Sequence, residues 1–152
     1  MSRQPKLDDP KGVLEILEET GQIKRTAARL GVCAATVSRF LRRHGFVFVP
    51  CSYEKRRAYN RNQRAQALGA EGSHTADDTA RLYKEQHGRC TYCGNRIFMR
   101  VRRGYYADHV VSIARGGSNW PANLALCCGH CSSSKGAMPV EEFRLRLGRG
   151  RK

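Results

Sequence analysis

Cys90-Thr91-Tyr92-Cys93-Gly94 and Cys128-Gly129-His130-Cys131 are two C-x-x-C knuckles with residues 94–127 between them. A two-residue gap lets both thiolates of a knuckle face one point, and two such turns complete a tetrahedral four-sulfur set. Thiolates are soft ligands, and a closed set leaves no position for water, so Cys90, Cys93, Cys128 and Cys131 predict a structural Zn²⁺ ion. Cys127 and His130 are further donors beside the second knuckle, and Cys128 is preferred to Cys127 because it keeps the two-residue gap. Buried small hydrophobes or a redox pair are the competing readings, and two matched knuckles weigh against both.

The need for such a staple follows from size. A chain of 152 residues makes one ordinary domain or two very small ones, and each half alone buries too little apolar surface to be robust. No secretory leader pattern and no apolar run of membrane-spanning length are seen, so the expectation is a soluble, cytoplasmic protein without a membrane partner. In that compartment paired cysteines bind metal more often than they form disulfides.

Charge sets the class of partner. Lys and Arg number 28 against 13 acidic residues, giving a net charge of +15 and a pI near 10.1. The excess is spread over both halves, so it is not one basic tail, and a field of this sign favours a polyanion, most commonly nucleic acid. A ribosome-associated or merely basic protein would share the composition.

Residues 1–10 are polar with two prolines and read as a frayed start. From Lys11 to His44 the apolar spacing of Val13, Ile16 and Leu17, then Ala27 and Leu30, then Val37, Phe40 and Leu41 predicts three short helices, with Gly31 and Gly45 as helix stops. Residues 53–68 have helix formers but hardly an apolar stripe, and Arg57, Arg61 and Arg64 share one face; they read as a basic linker helix ordered by a phosphate backbone. Thr75 is an N-cap followed by Asp77 and Asp78, which opens a new module. Within it, Ile97–Val101 and Tyr105–Val111 read as short strands, 112–121 as a glycine-rich loop, 123–127 as a third strand, 129–135 as a short helix, and Pro139 as the start of a last one. The expected fold is α+β, with a helical domain at 1–50, a linker at 51–74, a zinc-stapled domain at 75–147 and a basic tail at 148–152.

The insert between the knuckles exceeds what a simple zinc ribbon uses, which is about 15–20 residues. It holds Asp108-His109, Gly116-Gly117-Ser118-Asn119 and Asn123-Leu124, and Lys135-Gly136 follows the second knuckle. Phosphodiester hydrolysis needs an activated water and a cation at the phosphate. A histidine supplies the base near neutral pH, and a carboxylate suits Mg²⁺.

These motifs, from Gly88 through Lys135-Gly136, resemble the HNH endonuclease family over about half the chain. The resemblance implies a ββα-metal fold in which His109 activates water, Asp108 holds Mg²⁺ or Mn²⁺, and Asn123 orients the loop carrying the base. The family's second metal ligand directly after the last zinc cysteine is His or Asn, whereas this chain has Ser132. His130 and Asn119 are substitutes off the family position. In a regular strand Asp108 and His109 point to opposite faces, so a shared site requires the strand to end or bulge there.

Ala27, Gly31, Val37 and Phe40 have helix-turn-helix spacing, and 26–45 resembles that motif in transposases and transcription regulators. The resemblance implies that Ala35, Thr36 and Arg39 face base edges in double-stranded DNA, with Ser38, Arg42 and Arg43 on phosphates. The function expected is a metal-dependent DNA endonuclease of phage or mobile-element homing type, a monomer that nicks one strand and takes no small-molecule substrate. The alternative is a DNA-binding regulator with a degraded, zinc-braced HNH fold; an RNA-binding zinc protein is a third reading.

Overall fold

In the computed structural model, which describes residues 7–49 and 51–149, the chain forms two compact units. One comprises Met1–Val49 with Arg100–Arg102, the other Pro50–Met99 with Arg103–Lys152. Residues 1–6 of the polar start and 150–152 of the basic tail lie outside the described residues. Among those described are seven α-helices and one two-stranded sheet. No helix among them is long and apolar enough to cross a membrane.

The first unit is built on α1 (Pro10–Thr20), α2 (Ile23–Arg29) and α3 (Ala34–Arg43). Asp9 caps α1 by accepting from the Lys11 and Gly12 amides, and Pro10 loses nothing at the first helical position. Gly21, at φ 67°, ends α1 in the left-handed conformation that glycine adopts without strain. Val13, Leu14, Leu17, Ala27, Val37 and Leu41 form the core, so the 3.6-residue spacing places its apolar face as expected, with Leu14 added and Ile16 and Phe40 only half-buried. Thr26 is buried and satisfied, bonding to the Gln22 carbonyl and the Thr20 hydroxyl. Of α3, Ala35, Arg39, Arg42 and Arg43 are exposed, and Thr36 and Ser38 are half-buried.

The second unit carries α4 (Cys51–Ala67), α5 (Ala76–Glu85), β1 (Tyr106–His109), β2 (Leu124–Cys127), α6 (Gly129–Lys135) and α7 (Val140–Arg149). The strand pair is antiparallel, with Tyr106 opposite Cys127 and His109 opposite Leu124. Cys90, Ile97, Tyr105, Leu126, Cys127, Cys131 and Phe143 make the core. The expected strand at Ile97–Val101 is corrected: this stretch makes one isolated bridge, Val101 to Phe48, and Arg96 just before it makes another, to Arg89. The backbone explains why, since Arg100 and Arg103 sit at φ 61° and 60°, outside the range a pleated strand uses.

The 53–68 stretch is a helix, as expected, but not a free linker. Glu54, Ala58 and Ala65 of α4 are buried within the second unit. The Tyr105 hydroxyl donates to Glu54 Oε2, and Arg57 donates to the Tyr105 carbonyl at 2.9 Å while its guanidinium lies 4.4 Å from the Tyr105 ring. Burial, with Glu54 beside it, pushes the Tyr105 phenol up to about 12.

Thr75 and Asp78 form a reciprocal capping box at the start of α5. The Thr75 amide and hydroxyl hold the Asp78 carboxyl below the usual carboxylate range. Its contribution is therefore full above the unfolded value of about 3.9 and fades as pH falls through the lowered folded value. Thr75→Ala is expected to cost about 1 kcal/mol in urea unfolding of the metal-loaded protein at neutral pH.

Candidate active site and metal centre

The ligand atoms of Cys90, Cys93, Cys128 and Cys131 all lie within 4.8 Å of one another. Cys93 Sγ and Cys128 Sγ are 3.8 Å apart, which is the edge of a tetrahedron with arms of about 2.3 Å, the Zn–S distance. The donor set therefore fits a structural zinc. Local turns bring the thiols together: Gly94 N–H closes on Cys90 O at 2.9 Å and Cys90 N–H on Asn95 O at 2.8 Å. Cys128 is the N-cap of α6, and its sulfur accepts from Cys131 N–H. Cys127 belongs to β2 and to the apolar core instead, and His130 is exposed.

The pleat sends Asp108 and His109 to different partners. Asp108 Oδ2 accepts from Tyr92 Oη at 2.6 Å and pairs with Lys135 Nζ at 2.9 Å. Burial, and then the Asp108 carboxylate, push the Tyr92 phenol far above the ordinary tyrosine range, so it stays a donor. Lys135 is buried, and its ammonium also donates to the His109 carbonyl at 2.8 Å, tying the end of α6 to β1. Among the described residues Asp108 Oδ1 has no hydrogen-bond partner, which leaves one carboxylate oxygen for a cation. Ser132 is half-buried on α6. The register is regular from Tyr106 to His109, and β1 ends at His109, so the strand end that a shared site requires falls at this pair.

His109 Nε2 lies 2.9 Å from Asn119 Oδ1. Asn119 is buried and its amide is fully committed, donating to Asn62 Oδ1 at 2.8 Å and the Gly72 carbonyl at 3.3 Å. It is thus the side-chain partner of the His109 ring. Asn62, on α4, clasps the His74 backbone, accepting from its N–H at 3.2 Å and donating to its C=O at 2.8 Å. The His74 ring is buried with both nitrogens unpartnered, and burial, then the Arg61 charge, lower its pKa and keep it neutral. At Gly72, a Cβ would come within 2.5 Å of the Trp120 ring, so only glycine passes beneath it.

Asn123 closes the loop that follows His109. Its Oδ1 accepts from Val111 N–H at 2.9 Å, and its Nδ2 donates to the Val111 and Ser118 carbonyls at 2.9 and 2.7 Å. Gly117 lies under the same loop, where a Cβ would stand 1.9 Å from the Val111 carbonyl oxygen. Gly117→Ala should therefore open the loop. The melting point is expected to fall, by the equivalent of about 1–3 kcal/mol, while bound zinc per chain stays unchanged, as read by elemental analysis beside thermal unfolding.

The arginines of α4 divide. Arg57 is used inside the fold by Glu54 and Tyr105. Arg61 is half-buried near Tyr105, where burial and the adjacent Arg57 charge lower its pKa, and Arg64 is exposed. Sequence reasoning missed Tyr92, Asn62, His74 and the role of Lys135. Lys135 did stand in a quoted motif, whereas Asn62 and His74 gave no signal.

Residues 90–137 match the HNH endonuclease family. This segment runs from the first knuckle through β1, the loop after His109, β2 and α6, about a third of the chain. No curated protein matches the chain.

Proposed function

We propose that the chain is a divalent-metal-dependent DNA endonuclease in which His109 is the general base. The observation that carries this reading is a histidine at the end of β1, held at its ring nitrogen by Asn119 and followed by a loop clasped by Asn123, inside the segment matching the HNH family. Asn123 acts as the loop's positioning residue. Asp108, through Oδ1, would hold Mg²⁺ or Mn²⁺, with Ser132 the second candidate; the ion supplies charge stabilisation at the scissile phosphate. The four cysteines hold zinc, which has no catalytic part because its coordination is closed.

In this reading α2 and α3 act as a helix-turn-helix. Exposed Ala35 and Arg39, with Thr36, face base edges, and Ser38, Arg42 and Arg43 meet phosphates, joined by Arg61 and Arg64 of α4. One such site serves one scissile phosphate, so the monomer nicks one strand of double-stranded DNA. A phage or mobile-element homing endonuclease is the setting proposed. The test is conversion of supercoiled plasmid to open circles with Mg²⁺ or Mn²⁺, beside His109→Ala.

One observation favours a second reading, a DNA-binding regulator with a degraded nuclease site. The Lys135 ammonium already neutralises Asp108, and the family's second ligand is replaced by Ser132. That reading expects salt-sensitive DNA binding and no nicking with any divalent metal.

A further inference from the structure

We infer that Asn62 of α4, outside the matched segment, is a positioning residue that sets the tautomer of His109 through Asn119. The inference rests on the reading of His109 as the base, and extends it to which ring nitrogen takes the proton.

The polarity of each amide in the series is fixed by the one before it. At the origin is the His74 backbone, whose N–H can only donate and whose C=O can only accept. Asn62 meets both, so its Oδ1 faces the N–H and its Nδ2 faces the C=O. Asn62 Oδ1 then also receives Asn119 Nδ2 at 2.8 Å, and the Gly72 carbonyl receives the same Nδ2 group at 3.3 Å. Reversing the Asn119 amide would set its oxygen against these two acceptors, and Asn119 is 0 % exposed, so water cannot substitute. Asn119 Oδ1 must therefore face His109, and as an acceptor it requires a proton on Nε2 of the neutral ring. Nδ1 is left with its lone pair, ready to accept a proton from water. The series spans three separated parts of the chain, which is why it is invisible in any local motif.

The readout is the tautomer itself, independent of catalysis. Long-range ¹H–¹⁵N correlation spectra of the zinc-loaded full chain, ¹⁵N-labelled at histidine, are recorded about two units above the ordinary histidine value of about 6.5. His109 is assigned by its absence in His109→Gln. The expected result is a single Nε2–H form in the wild type. In Asn62→Leu a second set of ring signals from the Nδ1–H form is expected. An Nδ1–H wild type overturns the inference, and so does an Asn62→Leu ring that stays wholly Nε2–H. Should Asn62→Leu not fold, the wild type decides, since a ring found as Nδ1–H there overturns the inference. A plasmid assay on the same samples separates the two claims. Protein with the Nε2–H ring that never nicks upholds the tautomer and retires the nuclease; nicking protein with the Nδ1–H ring does the reverse.

Discussion

Stripping the metal from the Cys90, Cys93, Cys128 and Cys131 cluster should unfold the second unit rather than merely loosen it. Structural zinc in small sites supplies apparent binding free energies of about 10–16 kcal/mol near neutral pH. Whole domains are stable by only about 5–15 kcal/mol, so losing the ion exceeds the margin a unit of this size holds. The position of the cluster makes the effect global within the unit. Cys90 and Cys131 are themselves core residues, and the two knuckles bracket β1, the His109 loop and β2. Incubation with a strong chelator should abolish much of the far-ultraviolet helix signal and raise binding of an apolar dye, and added Zn²⁺ should restore both. Cys131→Ser should bind zinc far more weakly, while Cys127→Ser should keep about one zinc per chain, since Cys127 stands outside the cluster. An unchanged spectrum and melting profile in protein shown by elemental analysis to be metal-free would sink the idea.

What was legible in the sequence is what local spacing encodes. The two knuckles and the Thr75 cap each depend on residues a few positions apart, and the structure brings each into the geometry its spacing implies. Ile97-Phe98-Met99 misled because an apolar run carries no record of the backbone that follows, and Arg100 turns the chain with a positive φ. The helix at 51–67 hid its packing because the side chains it buries are Ala58, Ala65 and Glu54, small or charged, which leave no hydrophobic stripe. Lys135 is buried against the general rule for lysine, and only its two acceptors, Asp108 and the His109 carbonyl, explain it. Asn62 and His74 act on the site across tens of residues, a kind of information that no periodicity carries.

His109→Ala should lower the nicking rate by about 10²–10⁴-fold, the range typical of losing a positioned general base. In free energy of activation this is about 3–5.5 kcal/mol. The loss should fall on kcat, because Asn119, Asn123 and Lys135 hold the loop and strand through contacts other than the imidazole. Lys135 grips the residue 109 carbonyl, and Asn123 grips the backbone of Val111 and Ser118, neither of which the substitution touches. DNA affinity and zinc content should therefore match the wild type within a factor of about 2, which separates lost chemistry from lost structure. Asn123→Ala should lose less, about 10-fold, and partly through KM, because it frees the loop without removing the base. The lone buried acceptor left in His109→Ala, Asn119 Oδ1, costs about 1–3 kcal/mol of stability, so the melting point should drop without loss of the fold. Free imidazole should restore part of the activity if it enters the vacated space and takes the same proton. Nicking at the wild-type rate by His109→Ala, with Mg²⁺ or with Mn²⁺, would remove His109 from the mechanism. Absence of nicking by the wild type across both ions, with salt-sensitive DNA binding intact, would instead favour the regulator, in which Lys135 permanently occupies the charge of Asp108.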